Sequence, residues 1–331
     1  MSEYKNIKGL NIESVSSDPS NPIEGQIWYN TTEQKIKGNI NTDGLYILGS
    51  NMNNPREEQS AQAGDKDSAI IVGGSPDYKS ESYNGTAWTV TNNPVTNITI
   101  SYGIGSSTLA LACGNYPRLA TVESWNGTCW SAGTSFNTGR NEIGAVGIQT
   151  SGLIFGGNVG SNPESYNGTE SWNGTAWTAV NNLVSEQSYG GSAGSSTSAL
   201  WFGGFIETPP TPGTQTTIAT TQSWDGTCWT TVNPLLNAKQ QVVGWGTDNT
   251  SAYVTGGSGP VPIARVTERW NGTSWTTLID FPDNSPAFYN KSADGNSTSA
   301  LLTGGGTGYG DSLSTVEFLS GTYNGTLQTS F

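Results

Sequence analysis

The residues best suited to acid–base chemistry in this sequence are glutamates that recur along the chain. They are Glu81, Glu123, Glu170, Glu268 and Glu317. Hydrolysis of a glycosidic bond needs two carboxyl groups roughly 5 to 10 Å apart. Each of these glutamates lies in a different copy of a repeated motif, so we expect them to be far from one another. We predict a structural role, with the carboxylates hydrogen-bonded to turn backbone or to an indole N–H.

The other residue types used in catalysis are scarce. The chain contains no histidine, which excludes Ser-His-Asp and Cys-His systems and ordinary zinc and copper sites. Cys129 and Cys228 hold the same motif position in the second and fourth copies, too far apart to pair, and Cys113 lies elsewhere. We expect reduced thiols that serve as small apolar side chains. No catalytic residue, metal site or cofactor is predicted, and the protein is not expected to be an enzyme.

One eight-residue motif dominates the chain. Its five clear copies are ESYNGTAW (81–88), ESWNGTCW (123–130), ESWNGTAW (170–177), QSWDGTCW (222–229) and ERWNGTSW (268–275). Each copy follows an apolar run that ends in a glycine pair, except that Cys113 replaces the first glycine before the second copy. A sixth run ends at Gly305, and a degenerate copy follows from Glu317 to Tyr323. Repetition on this scale indicates an architecture of stacked, similar units.

The motif predicts a β-hairpin, because Asn-Gly is typical of a two-residue type I′ turn. In that register Trp125 lies opposite Thr128, and Glu123 lies opposite Trp130. Glu123, Trp125 and Trp130 then share one face of the hairpin, whereas Ser124 and Cys129 share the other. The apolar run and an upstream strand complete four strands per unit. A charged content of only 12%, with 44 glycines, also favours an all-β fold.

The order of apolar run, glycine pair, acidic-aromatic strand, turn and Trp strand resembles the kelch repeat over about residues 55 to 331. The resemblance implies a propeller of four-stranded blades. We predict that residues 51–331 form a six-bladed kelch-like β-propeller, preceded by a short β-rich attachment segment at residues 1–50. Because the sixth motif lacks its final Trp, either Leu45 to Leu48 or Tyr323 to Thr329 is expected to complete the last blade.

The spacing between landmarks varies mainly between the second and third strands of each unit. From a motif Trp to the next glycine-pair position it is 25 to 29 residues, but from the glycine pair to the next motif it ranges from 7 residues after Gly74 to 18 after Gly204. These loops emerge on one face, and variable loops on a constant scaffold are typical of binding surfaces. The alternative is neutral loops that tolerate length changes. The expected contact residues are Tyr78, Tyr116, Tyr166, Phe205, Ile206 and Tyr309.

The segment DPSNPIEGQIWYNTTEQKIKG, from Asp18 to Gly38, resembles a short stretch found in structural proteins of tailed bacteriophages, especially tail fibres. The resemblance covers about 20 residues and implies attachment to other virion proteins. Ile27, Trp28 and Tyr29 form a compact apolar group that we expect to act in docking. A small β-hairpin that packs on the propeller as a lid is the alternative.

These features together predict a non-enzymatic virion structural protein of a tailed bacteriophage, tail-associated or fibre-type, whose propeller binds a host-surface glycan or protein. The alternatives are a capsid decoration or head-fibre protein and an intracellular kelch scaffold. The net charge of −13, without a basic cluster, argues against a nucleic-acid partner. The start of the sequence lacks a secretory pattern, and no apolar stretch reaches about 18 to 20 residues. We therefore expect synthesis in the host cytoplasm, localisation in the virion and no membrane insertion.

Overall fold

The computed structural model describes residues 12–56, 58–160, 164–207, 215–258, 265–281, 289–306 and 315–326. The regular elements in these ranges are β-strands, and no α-helix occurs among them. The prediction of an all-β protein is therefore confirmed. The chain divides into a smaller unit, Met1–Ile47 with Leu319–Phe331, and a larger unit, Leu48–Phe318.

The smaller unit takes three strands from the N-terminal segment. They are β1 (Glu13–Val15), β2 (Ile27–Asn30) and β3 (Lys35–Leu48). β1 pairs with β2 in parallel, and β2 pairs with β3 in antiparallel fashion, with Trp28 opposite Lys37. The N-terminal segment is thus β-rich, as predicted.

The larger unit contains five four-stranded antiparallel sheets, which we call sheets 1 to 5. Sheet 1 consists of β4 (Ala61–Gly64), β5 (Ala69–Val72), β6 (Ser80–Tyr83) and β7 (Trp88–Val90). Sheet 2 consists of β8 (Tyr102–Gly105), β9 (Ala110–Asn115), β10 (Leu119–Trp125) and β11 (Trp130–Ala132). Sheet 3 consists of β12 (Gly144–Ile148), β13 (Ser151–Phe155), β16 (Thr169–Trp172) and β17 (Trp177–Val180). Its second and third strands are separated by the hairpin β14 (Asn158–Val159) and β15 (Glu164–Ser165).

The remaining strands repeat this plan. Sheet 4 consists of β18 (Gly191–Ser195), β19 (Ser198–Phe202), β22 (Thr221–Trp224) and β23 (Trp229–Val232), with the hairpin β20 (Phe205–Glu207) and β21 (Gln215–Thr217) inserted. Sheet 5 consists of β24 (Gln240–Asp248), β25 (Ser251–Ser258), β26 (Val266–Trp270) and β27 (Trp275–Asp280). Sheet 6 contains β28 (Tyr289–Gly295), β29 (Ser299–Gly306) and the start of β30 (Thr315–Thr326). From Leu319 onward β30 belongs to the smaller unit, where it neighbours β3 in the strand order.

A glycine lies at or near the end of the first strand in each of the six sheets. Gly64, Gly105, Gly147, Gly194, Gly246 and Gly295 have φ values from +108° to +151°. L-residues rarely adopt this backbone region, and a Cβ at Gly194 would also lie 2.2 Å from the Ser198 carbonyl oxygen. The requirement for glycine therefore arises from the tight connection between strands 1 and 2. This glycine position recurs six times along the chain and forms a second repeat beside the eight-residue motif.

The predicted register of the motif hairpin was wrong. Trp125 pairs with Trp130 and Ser124 with Ser131, so four residues, Asn126 to Cys129, form the loop. The Asn126 side-chain oxygen accepts hydrogen bonds from the Thr128 and Cys129 amides, both at 2.9 Å. This Asx turn competes with the two-residue type I′ turn that Asn-Gly suggests. The two Trp side chains still share a face, with their ring centroids 5.3 Å apart.

The recurrent acidic position holds the chain segment that enters its own sheet. Glu123 accepts hydrogen bonds from the Val95 and Thr96 amides, both at 2.7 Å. Equivalent bonds reach Glu81, Glu170, Gln222 and Glu268 from the segments before β4, β12, β18 and β24. These contacts of the four glutamates are structural, as predicted, but their partners are neither the hairpin turn nor an indole. Glu317 differs, because it accepts a hydrogen bond from the Tyr83 hydroxyl at 2.7 Å. A buried carboxylate satisfies two backbone donors that the neighbouring strands do not pair.

The tryptophan in the fourth strand links each sheet to the preceding one. The indole N–H of Trp130 donates to Ser80 at 2.9 Å, and Trp229 and Trp275 donate to Thr169 and Thr221 at 3.0 Å. Trp88 of sheet 1 makes the same bond, at 2.9 Å, to Thr315 of sheet 6. The hydrophobic clusters lie between successive sheets, and one contains Ile71, Trp88 and Leu301 from sheets 1 and 6.

The first strands of the six sheets also contact one another in sequence order, and β28 contacts β4. Ser292 Oγ donates to the Ser60 carbonyl at 2.7 Å, and Gln62 donates to the Leu301 carbonyl at 2.6 Å. Four-stranded sheets that stack face to face in this way are compatible with a β-propeller.

Candidate binding surface

The strand 2–3 loops begin at the glycine pairs. Gly156 and Gly157 have φ values of +64° and +96°. A Cβ on these residues would lie 2.7 Å from the Gln187 carbonyl oxygen and 2.4 Å from that of Asn141, respectively. Where the chain exits the second strand of sheet 3, its backbone therefore packs closely against the segments that enter sheets 3 and 4. This close approach fixes where the loop emerges.

Two of these loops carry hairpins of their own. Hairpin β14–β15 pairs Asn158 with Ser165, and hairpin β20–β21 pairs Phe205 with Thr217. Each is joined at its base to the segment that enters the first strand of its own sheet, through the Asn141–Asn158 and Ser188–Phe205 bridges. Backbone pairing therefore anchors the added residues.

The predicted contact residues differ in exposure. Tyr116 is 60% exposed in the loop of sheet 2. Tyr78, which has a φ of +51°, and Ile206 are half-buried. Tyr166 is also half-buried, with the Arg140 guanidinium 5.4 Å from its ring centre. Tyr309 lies outside the described residues.

Phe205 is the predicted contact residue that a ligand could not reach in this structure. Its side chain is 3% exposed and stacks on Tyr189, with the ring centres 4.7 Å apart. The ring fills the space at the base of hairpin β20–β21, because a phenyl group has no polar atom that must stay in water. Its role here is packing.

A carboxyl–phenol cluster lies beside these loops and was not foreseen from the sequence. The Tyr102 hydroxyl donates to Glu142 at 2.6 Å, and Tyr189 also bonds to this carboxyl. Burial raises the pKa of Glu142 to about 7, although both phenols favour the charged form. The three residues come from three successive repeats. Glu142 and Tyr189 hold equivalent positions, each five residues before the strand 1 glycine and with a positive φ (+55° and +58°), whereas Tyr102 does not. Repeat alignment shows that equivalence but not the contact, because only the stacking of sheets brings the three side chains together.

Two small cavities lie among the first strands of the sheets. They have volumes of about 50 and 60 Å³, and glycine, alanine and serine line much of them. Small-molecule sites usually have volumes of roughly 300 to 1,000 Å³. Asp294 borders one cavity, and burial raises the pKa of its carboxyl to about 7. These cavities have room for water rather than for a cofactor.

The cysteines do not all behave as predicted. Cys113 is buried, and burial raises the pKa of its thiol to about 12, as suits an unreactive apolar side chain. Cys129 and Cys228 are free but exposed in the motif turns, so they are not packing residues. The reason is the longer turn, which removes this position from the strand.

The predicted docking residues in the smaller unit also differ in accessibility. Ile27 is 37% exposed and Tyr29 is half-buried, whereas Trp28 is fully buried. The Trp28 indole donates to Asp18 at 2.9 Å, and Lys37 approaches the same carboxylate at 2.6 Å. The Lys37 hydrogen bond is the main reason that the pKa of Asp18 falls to about 2. Trp28 therefore packs within its own unit, and Ile27 offers the accessible apolar surface.

No group of three or more Cys, Asp or Glu side chains suited to a metal ion occurs among the described residues. In that part of the chain, no helix has the length and apolar character needed to cross a membrane.

Comparison with known proteins adds no relative. No model of a known protein family matches this chain, and no curated protein matches it at a significant level. Fold and function are therefore argued from the residues and their geometry.

Proposed function

We propose that this chain forms a six-bladed kelch-like β-propeller that binds a host-surface glycan or protein, as a non-enzymatic structural protein of a tailed bacteriophage virion, tail-associated or fibre-type. The binding role rests on one observation. Hairpins β14–β15 and β20–β21 both extend strand 2–3 loops, whereas the four-stranded plan around them stays constant. Added structure at one end of a rigid scaffold is typical of recognition surfaces.

The closed ring is supported by the bonds that join the last sheet to the first. The Trp88–Thr315 bond repeats, between sheets 6 and 1, the Trp bond made between earlier sheets, and the Ser60–Ser292 and Gln62–Leu301 bonds add further contacts there. The Gly49 amide also donates to the Thr315 carbonyl at 3.0 Å, so the chain just after Leu48 runs beside the last blade. This supports closure by the N-terminal side, one of the two candidates.

The virion location is supported by the resemblance of Asp18 to Gly38 to tail-fibre segments. Mass spectrometry and immunogold electron microscopy of purified particles test it. Label on the tail is the expected result. Label on the capsid favours a decoration or head-fibre protein, and absence from particles favours an intracellular scaffold.

The binding face is tested by adsorption of purified, fluorescently labelled protein to cells of the strain on which the phage grows. Tyr116→Ala, in a strand 2–3 loop, is expected to weaken adsorption about tenfold. Ile148→Ala is the matched control, because Ile148 is 59% exposed at the opposite end of a sheet. Equal adsorption by both variants and the wild type argues against this face, and released sugar fragments would point to an enzyme.

A further inference from the structure

A solvent-open groove lies between sheets 2 and 3, away from the strand 2–3 loops. Its volume is about 480 Å³, within the range of small-ligand sites. Val122, Ser124 and Thr134 line it from the side of sheet 2, and Gln149, Trp172 and Thr175 line it from sheet 3. Sheet 2 departs from the repeat at three positions that line the groove.

The first departure removes a side-chain hydrogen bond between neighbouring sheets, which we call the strap. After sheets 1, 3 and 4, the fourth residue beyond the motif Trp is an asparagine whose side chain donates to a carbonyl in the next sheet's motif turn. These bonds run from Asn92 to Thr128, from Asn181 to Thr227 and from Asn233 to Thr273, at 2.8 to 2.9 Å. After sheet 2 this position is Thr134, which is too short to make the bond. The Thr175 carbonyl, equivalent to those of Thr128 and Thr227, accepts no hydrogen bond within the described residues.

The second departure removes side-chain volume. The residue before the strap position is Thr91, Val180, Val232 or Leu278 in the other sheets, but Gly133 in sheet 2. A Cβ on Gly133 would lie 3.0 Å from Val122 Cγ1. Val122 thus occupies the space next to Gly133, and no side chain extends from this position over the groove.

The third departure reorients a bond. Ser80, Thr169 and Thr221 each precede the acidic position and accept the indole N–H of the next sheet. Val122 takes this place in sheet 2 and cannot accept a hydrogen bond. The Trp177 indole bonds instead to the Thr134 carbonyl at 3.0 Å. That bond holds the Thr134 backbone at the edge of the groove.

We propose that the groove binds a neutral saccharide of one or two rings. Its lining contains no charged residue, although the chain carries a net charge of −13, so it does not select an ion. The hydroxyls of Ser124, Thr134 and Thr175 and the free Thr175 carbonyl offer both donors and acceptors, which match the alternating hydrogen-bonding capacity of sugar hydroxyls. Val122 and Trp172, with 3% and 8% of their surface exposed, form a small apolar part of the floor.

Gln149 keeps the floor of the groove rigid. Its side-chain amide donates to the Trp125 carbonyl at 2.6 Å and to the Ala110 carbonyl and Ser124 Oγ, both at 3.1 Å. A preformed site does not lose ordering entropy when a ligand binds. This site is separate from the strand 2–3 face, so it does not depend on the proposed function.

The test is saturation-transfer difference NMR of the full chain with methyl glycosides of glucose, galactose, mannose and N-acetylglucosamine at millimolar concentration. The wild type is expected to give signal with at least one glycoside. Thr134→Asn restores the strap found after three other sheets, and Thr175→Trp fills the mouth of the groove. Both are expected to reduce the signal about tenfold.

Matched controls come from sheet 4 and the segment before it. Asn181→Thr and Thr227→Trp make the reciprocal and the equivalent changes there, and both are expected to retain the wild-type signal. A thermal melt of Thr175→Trp that matches that of Thr227→Trp excludes misfolding as the cause of a loss. No transfer to any glycoside in the wild type, or unchanged transfer in Thr175→Trp, overturns the proposal.

Discussion

At the residue scale, buried ion pairs accompany the recurrent acids in three sheets. Arg56–Glu81, Arg140–Glu170 and Lys239–Glu268 are 3.1, 2.7 and 2.9 Å apart, with almost no exposure. In sheet 4 both the acidic and the basic position hold glutamine, and Gln222 donates a hydrogen bond to Gln187 at 2.9 Å. The joint change follows from the cost of leaving one buried charge without its partner.

Arg140→Gln is expected to destabilise the fold by about 3 kcal/mol, because it leaves the Glu170 carboxylate buried without its cation. The double variant Arg140→Gln/Glu170→Gln copies the Gln187–Gln222 pair and should recover most of that loss. Urea denaturation measures both. A double variant as unstable as the single one would show that the charge balance is not what matters here.

The raised pKa of Glu142 predicts a pH dependence. Because the folded-state pKa of Glu142, about 7, exceeds the ordinary glutamate value of 4.5, the stabilisation is complete below pH 4.5 and is lost as pH rises through about 7. Glu142→Gln retains an acceptor for Tyr102 but does not titrate. Denaturation at pH 5 and pH 8 should show a smaller difference in the variant, by up to about 3 kcal/mol. An unchanged difference would mean that the Glu142 pKa is not raised. Asp294 titrates in the same range and should preserve part of the dependence.

At the element scale, backbone geometry decides which glycines matter. Gly194 combines a φ of +116° with a carbonyl 2.2 Å from any Cβ, whereas at Gly174, with a φ of +89°, the nearest atom would be 3.2 Å away. A Cβ at Gly194 would therefore clash unless the backbone moved, whereas a Cβ at Gly174 would mainly strain a left-handed backbone conformation. The motif position, Gly174, should therefore tolerate a side chain better than Gly194, although the motif is the more conspicuous pattern in the sequence.

Gly194→Ala is expected to cost about 1 to 3 kcal/mol more than Gly174→Ala, which should itself cost about 1 kcal/mol. Parallel denaturation curves of the two variants measure the difference. Equal losses would indicate that strand 1 can move away from Ser198 and that its end is not fixed.

At the scale of the whole molecule, the proposed closed ring would make the contact between sheets 6 and 1 equivalent to the contacts between other sheets. Gln62 joins sheet 1 to the Leu301 carbonyl, and Gln149 joins sheet 3 to the Trp125 carbonyl, both at 2.6 Å. In an open arc the first of these would be a terminal contact that frays easily. In a closed ring, loosening either one strains all six sheets.

Gln62→Leu and Gln149→Leu are therefore expected to destabilise the larger unit similarly, by about 2 kcal/mol each, because each removes a hydrogen bond to a buried or partly buried carbonyl. Differential scanning calorimetry compares their melting temperatures. If Gln149→Leu lowers the melting temperature and Gln62→Leu does not, the ring is open between sheets 6 and 1.

The all-β class, the repeating unit and the place of the loops could be read from the sequence, because alternation, turn residues and repeat spacing are local properties. The hairpin register could not, since Asn126 can form either a type I′ or an Asx turn, and the choice depends on how Trp125 packs against Trp130. Burial of Trp28 and Phe205 likewise depends on neighbours distant in the chain. Only the tertiary structure decided the partners of the recurrent glutamates, which lie in the segment that enters the same sheet and are distant in the chain. The Tyr102–Glu142–Tyr189 cluster and the groove beside Thr134 form between repeats, and the residues of one repeat do not specify what the next repeat places against them.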